Sequence, residues 1–242
     1  TRQYSSAAAA IYAALERGEL DWVGLADRAA GIADDLVLGL PGRVVGHQFK
    51  TSQFPCTFRV RTLLIGAEGL LQPLTIAWQA LKRRHPGLVV EIWLVTNDYP
   101  STSDHQIDSC GHSAAFIAEF VEHPTRLLSD WRTSRWGALI DELSAASGLC
   151  EQDFDQFLQS LRILHGTAAD FVQLHRLTPE GARLASEIAT VLPRLVADAR
   201  DKDQWTRAEL LQELGWRDNA DVHHVHQFPV GAYVQRNATT EA

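Results

Sequence analysis

The chain contains no methionine and only three cysteines among its 242 residues. Cys56, Cys110 and Cys150 are odd in number, far apart, and none forms a CxxC pair. That pattern argues against a disulfide framework and fits reduced thiols in a cytosolic protein. No apolar run is long enough to cross a bilayer, and no signal-peptide pattern is visible. The longest apolar segment, Leu88 to Val95, is interrupted by Glu91 and reads as a buried strand. GxxxxGK[ST], GxGxxG and GxSxG are all missing, so neither a phosphate-cradling ATPase loop, nor a dinucleotide fingerprint, nor a nucleophile elbow is expected here. Basic charge is also scarce. Lys and Arg total 22 against 30 Asp and Glu, a net charge of −8. A surface coated in cations is excluded, which leaves one local basic patch as the route to nucleic acid. With Thr1 in first place and no methionine, the sequence reads as a processed or excised piece of a larger parent expected to continue beyond Ala242.

What is present is an ordinary globular composition, 45% hydrophobic and 21% charged, with enough length to bury a core unaided. Ser5 to Glu16 predicts a helix with Ile11, Tyr12 and Leu15 as its apolar stripe, ended by Gly18. Strands follow at Leu20 to Leu25, Ile32 to Leu40 and Arg43 to Thr51, the last two joined by a tight turn at Pro41-Gly42. Thr62 to Arg84 has helical periodicity, although Gly66, Gly69 and Pro73 count against one unbroken helix. Leu88 to Thr96 predicts a central strand. The fold class is therefore α/β, with a mixed sheet in the order αβββαβ over residues 1–100. Residues 101–220 predict a mostly helical extension, and 221–242 an extended tail leading to a further domain. Within the extension, Thr206-Arg207-Ala208-Glu209 has the capping-box pattern of a helix start.

The chemistry concentrates in the second and third strands. Asp34-Asp35 opens one, and Gln48-Phe49-Lys50 closes the next. Strand side chains alternate faces, so Gln48 and Lys50 point the same way and Phe49 points to the other. Pairing of the two strands brings an acid, an amide and an ammonium together at one edge of a sheet. That set suits divalent-metal-assisted cleavage of a phosphodiester, because Mg²⁺ prefers carboxylates plus retained waters. A plainer reading is a solvated sheet edge; what favours the sharper one is the placement of the motif on two adjacent strands within a helix–strand frame.

Those residues, in that frame, resemble the PD-(D/E)xK restriction-endonuclease superfamily. The likeness is to the branch with Gln in place of the second acid, which includes Mrr-like enzymes. Asp34-Asp35-Leu36 with His47-Gln48-Phe49-Lys50-Thr51-Ser52 is similar to the double-stranded-DNA nuclease domains at the N-terminus of bacterial anti-phage STAND or NACHT proteins and of CD-NTase-associated effectors. The likeness covers residues 1–100. It implies a restriction-endonuclease-like core, Mg²⁺ or Mn²⁺ as cofactor, double-stranded DNA as substrate, self-association through the parent protein, a C-terminal STAND/NACHT-type sensor ATPase, and a bacterial cytoplasmic location without membrane contact. It implies catalytic roles for Asp35, Gln48 and Lys50. Asp35 and Gln48 would be metal ligands, with Asp34 the alternative to Asp35 if the register is one residue different, and the Phe49 carbonyl a further candidate ligand. An upstream acid is expected, Asp27 first and Glu16 second. Lys50 would stabilise the transition state and position water.

Arg59 and Arg61, taken as strand neighbours, share a face and can hold DNA phosphates. Lys82 belongs to a second basic cluster, Lys82-Arg83-Arg84-His85, for which a solvated helix end is an equal reading. Asp104, His105, Asp108, Cys110 and His112 match no common zinc spacing and read as a polar loop. His223, His224 and His226 lack a completing ligand pair apart from Asp221. The rival to a nuclease is a catalytically inactive module of the same fold that binds nucleic acid or a partner protein. A ligand-sensing domain built on the histidines ranks third.

Overall fold

The computed structural model describes residues 2–26, 35–104, 111–198, 202 and 204–216. Helix α1 (Arg2–Glu16) leads into β1 (Trp22–Gly24), β2 (Leu36–Leu40) and β3 (Arg43–Lys50). These three strands form an antiparallel meander, with Leu36 opposite His47 and Leu40 opposite Arg43. The Pro41-Gly42 turn works because Gly42 takes φ +75°, a conformation that side-chain-bearing residues avoid. Next come β4 (Thr57–Phe58), α2 (Val60–Leu64), α3 (Leu71–Arg84) and β5 (Val89–Thr96). The single helix expected over Thr62 to Arg84 is thus two, with Gly66 and Gly69 in the turn between them. Pro73 sits in the first turn of α3, where its missing N–H costs no hydrogen bond. β5 lies parallel to β3 along its whole length, Arg43 beside Val89 and Lys50 beside Thr96.

The sheet does not end there. After β6 (Tyr99–Pro100), α4 (Ser113–Glu122), α5 (Leu128–Thr133), α6 (Gly137–Ser147) and α7 (Glu151–Ser160), strand β7 (Leu161–His165) adds parallel to β5. A 3-10 turn (Gly166–Ala169), α8 (Phe171–Leu174) and α9 (Pro179–Asp198) precede β8 (Gln204–Thr206), which pairs antiparallel with β1, and α10 (Arg207–Leu214) follows. The main sheet runs β7-β5-β3-β2-β1-β8. Residues 101–220, expected as a helical extension, thereby contribute both strands at its edges as well as helices. Alternation over three to five residues is too brief to stand out from the helices beside it.

Both faces of this mixed α/β sheet are covered, which explains why β2 is buried at every position. One core packs Val37, Val44, Ile92 and Leu94 against α2 to α7. The other packs Leu36, Leu38, Val45 and Phe49 against α1, α9 and α10. Ala7 to Ala10 are all buried on α1, and their small side chains allow the close approach of α9. No described helix is long and apolar enough to cross a membrane.

Candidate functional site

The two cores fix which way each site residue faces. Val37 and Val44 belong to the first core, Leu36, Val45 and Phe49 to the second. Strand alternation therefore puts Asp35, Gln48 and Lys50 on the face of the first core. Extending the β2–β3 register one residue beyond Leu36 and His47 sets Asp35 across from Gln48. Their side chains meet: Gln48 Nε2 donates to Asp35 Oδ2 at 2.6 Å. The Phe49 backbone N–H donates to the same oxygen at 2.7 Å. Asp35 Oδ1 accepts from Gln3 Nε2 at 2.5 Å. The expected convergence of acid and amide is present, and α1 supplies a third partner.

Gln48 is the least ordinary residue of the group. It is 7% exposed, and its Oε1 has no hydrogen-bond partner. Leaving a buried acceptor unsatisfied costs about 1–3 kcal/mol. The carboxylate explains the orientation, because only the NH₂ end of the amide can donate to Asp35. The same Nε2 lies 3.3 Å from the Phe49 carbonyl oxygen. The amide nitrogen thus occupies a place between a carboxylate oxygen and a backbone carbonyl oxygen, a position with the electrostatics of a cation site.

Lys50 ends β3 and is exposed. It lines an open cleft of about 570 Å³ at the carboxyl ends of β3 and β5, together with Thr57, Arg59, Thr62, Glu68, Thr96 and Asp98. In open α/β sheets, ligands bind in crevices at strand carboxyl ends. Just beyond Lys50, Ser52 and Asn97 clamp the two strand ends: Ser52 N–H donates to Asn97 Oδ1 and Asn97 Nδ2 donates to the Ser52 carbonyl, both at 2.8 Å. Cys56 also lines the cleft, and the Asp98 carboxylate holds its thiol above the ordinary value. A thiol kept protonated in this way is a poor nucleophile.

Several expected residues fall elsewhere. Arg59 and Arg61 do not share a strand face, because β4 ends at Phe58 and α2 begins at Val60. Arg59 stays extended as the helix N-cap and faces the cleft. Arg61 turns with the helix and forms a two-pronged pair with Glu142, at 2.9 and 2.7 Å. Lys82 is tied to α7 through Gln156 at 2.8 Å and lies over the Trp78 ring at 4.1 Å. It belongs to the last turn of α3, which returns the chain to the start of β5, so a strand length of about 20 Å separates it from Lys50. Glu16 lies at the far end of α1 from Gln3, thirteen residues or about 20 Å away, and so cannot be the upstream acid. Asp27 and Asp34 lie outside the described residues, as do His105, Asp108, Cys110 and the His223–His226 cluster with Asp221.

Asp104 and His112 serve the fold. Asp104 is 3% exposed and accepts from both the hydroxyl and the N–H of Ser113. Burial works against its charge, but the Ser113 donors outweigh it and hold the carboxyl below its ordinary value. The Ser113 hydroxyl in turn accepts from Val60 N–H at 2.8 Å and secures the start of α2. His112 caps α4 by accepting from Ala115 N–H. Among the described residues there is no group of three or more His, Cys, Asp or Glu placed to hold a metal. Behind the site, on the second face, His47 packs among Phe49, Trp93 and Phe171. Burial pushes its pKa down to about 4, so it is neutral near neutrality.

No protein-family model and no curated protein matches the chain.

Gln3 and the Ser52–Asn97 clamp were not identified from sequence. Nothing local marks Gln3, because its role depends on where α1 docks. Asn97-Asp98 directly after a buried strand is a polar stop that could have been read as a site margin.

Proposed function

We propose that the chain is a Mg²⁺-dependent DNA endonuclease domain with a restriction-endonuclease-like core, working as the effector of a bacterial anti-phage protein. The observation that carries this reading is the buried Gln48 amide, held by Asp35, with its Oε1 left unpartnered. The residues present fit a small divalent cation. Asp35, Gln48 Oε1 and the Phe49 carbonyl form an all-oxygen set, as Mg²⁺ prefers, and leave positions for water. When bound, such an ion would neutralise phosphate charge and lower the pKa of a water molecule. Gln48 would then present Oε1 where Nε2 now lies.

The other parts follow from position. Lys50 shares the face of Asp35 and Gln48 and opens into the cleft, where its ammonium would stabilise the charge that builds on the phosphoryl oxygens. Arg59, across the same cleft, would hold a neighbouring phosphate. Hydrolysis adds one water across a P–O bond and yields a phosphate monoester and an alcohol. One site cuts one strand, so a double-strand break requires two domains facing each other. Clustering through a parent carrying a STAND/NACHT-type sensor ATPase would supply both that pairing and the avidity that an acidic chain needs on DNA. The setting is the bacterial cytoplasm.

One observation favours the rival, an inactive module that binds nucleic acid or a partner protein. Asp35 already accepts from Gln3, Gln48 and Phe49, which is enough to make it a structural clasp. Mn²⁺ titration followed by electron paramagnetic resonance separates the two. The nuclease reading expects Mn²⁺ to bind the wild type and not Asp35→Ala, with Gln48→Leu weakened. Identical titrations for all three would favour the clasp.

A further inference from the structure

Phe54 is the most exposed large hydrophobic side chain among the described residues, at 79%. The loop that carries it is nonetheless tightly held. Ser52 is clamped to Asn97, and the Ser52 hydroxyl donates to the Phe54 carbonyl at 2.7 Å. On the other side, Cys56 N–H donates to Asp98 Oδ1 at 2.8 Å and the Cys56 carbonyl accepts from Tyr99 N–H at 2.9 Å. Pro55 restricts Phe54 to extended backbone. The ring belongs to neither core cluster and stacks on no described aromatic side chain. A loop whose backbone is held on both sides of Phe54 thus presents a bare aromatic ring.

Its position says what it meets. The loop leaves Lys50 at the end of β3 and returns at Cys56 and Thr57, all three of which line the cleft. Phe54 therefore lies in a loop both of whose ends border a cleft that offers two cations, Lys50 and Arg59, and three hydroxyls, Thr57, Thr62 and Thr96. Of the two carboxylates in that lining, Asp98 and Glu68, Asp98 is occupied with Cys56 N–H and Ser52. Flat apolar surface beside phosphate-binding groups matches a nucleic-acid strand, in which each base offers a π-face within reach of a backbone phosphate. We propose that Phe54 is a stacking residue that wedges against a base of the DNA strand whose phosphates Lys50 and Arg59 hold. This rests on the nuclease reading and adds a contact that the metal site does not supply. Such wedges partly unstack a base step and kink the duplex, which would bend the scissile strand toward Asp35 and Gln48.

The test uses the 242-residue chain with Ca²⁺ and a duplex carrying 2-aminopurine, whose emission reports on its stacking. Wild-type binding should change the emission. Phe54→Ala should abolish that change and weaken binding about tenfold, with the dependence on salt unaltered because no phosphate contact is removed. Phe54→Trp should restore both. Arg59→Ala should keep the emission change and lower the salt slope by about one. Unchanged affinity and emission in Phe54→Ala would overturn the wedge and leave the nuclease reading standing. Failure of the wild type to bind the duplex at all would overturn both.

Discussion

Replacing Gln48 with glutamate turns the hydrogen bond at the centre of the site into a repulsion. The amide nitrogen 2.6 Å from Asp35 Oδ2 becomes a carboxylate oxygen, in a side chain only 7% exposed. Two unit charges about 3 Å apart at an effective dielectric of about 20 repel by roughly 5 kcal/mol. Protonating one carboxyl relieves this at about 1.4 kcal/mol for each pH unit above its ordinary pKa of ~4.3, which is also about 5 kcal/mol at pH 8. The two routes agree, so Gln48→Glu should lose about 3–5 kcal/mol at pH 8 in chelator, a large part of a typical domain's stability. The folded variant holds a proton that the unfolded chain has released. Its stability should therefore fall as pH rises above the unfolded value, and recover toward pH 5. Urea titrations at pH 5 and pH 8 measure the difference. Added Mn²⁺ should close the gap at pH 8, since an ion between the two carboxylates replaces the proton. A variant indifferent to pH would refute the geometry of the amide beside Asp35. A variant sensitive to pH but indifferent to Mn²⁺ would refute the metal reading.

Other consequences follow from single features. Arg61→Ala should leave DNA affinity unchanged, because Arg61 is engaged with Glu142 on α6 and is not among the residues lining the cleft; Arg59→Ala should weaken DNA binding, as read by a salt-dependent filter or anisotropy assay. Gly39→Ala should destabilise by about 1–3 kcal/mol, since the new Cβ would lie 2.1 Å from Trp22 Nε1 on the paired strand; a lowered melting temperature checks it. His47 is neutral in the fold with a pKa of about 4, against ~6.5 when unfolded. Its contribution is complete above pH 6.5 and is lost as pH falls toward 4, by up to about 3 kcal/mol; urea midpoints at pH 7 and 4.5 should converge in His47→Gln. Thr206→Ala removes the observed capping box of α10 and should cost about 1 kcal/mol by the same assay.

The parts of the molecule legible in the sequence are those in which local pattern and tertiary role coincide. β2 and β3 are marked by apolar runs and by the Pro41-Gly42 turn, and strand alternation alone places Gln48 and Lys50 on one face. Asp35 opposite Gln48 follows from the same register. Thr206 and Glu209 announce α10 for the same reason, since a capping box is local chemistry. What stayed hidden depends on distant parts of the chain. Gln3 reaches Asp35 from thirty-two residues away, through the docking of α1. β8 is a strand because Trp205 finds Val23, not because three residues carry a pattern. The Arg59–Arg61 pair was misread because spacing cannot tell a strand from the turn into a short helix. There Ser113, fifty-three residues further on, decides by accepting the N–H of Val60.

If Asp35, Gln48 and Lys50 form one phosphodiester-cleaving site, the chain should cut plasmid DNA and Lys50 should be needed for it. The most direct measurement is conversion of supercoiled plasmid to nicked and linear forms by the chain in Mg²⁺, across a range of protein concentrations. Wild type is compared with Lys50→Ala, which removes an exposed side chain and should fold normally by circular dichroism. Cleavage by the wild type should rise steeply with concentration, be abolished by chelator, and be lost in Lys50→Ala. Equal cleavage by a folded Lys50→Ala, or none by the wild type at any concentration, would contradict the shared site.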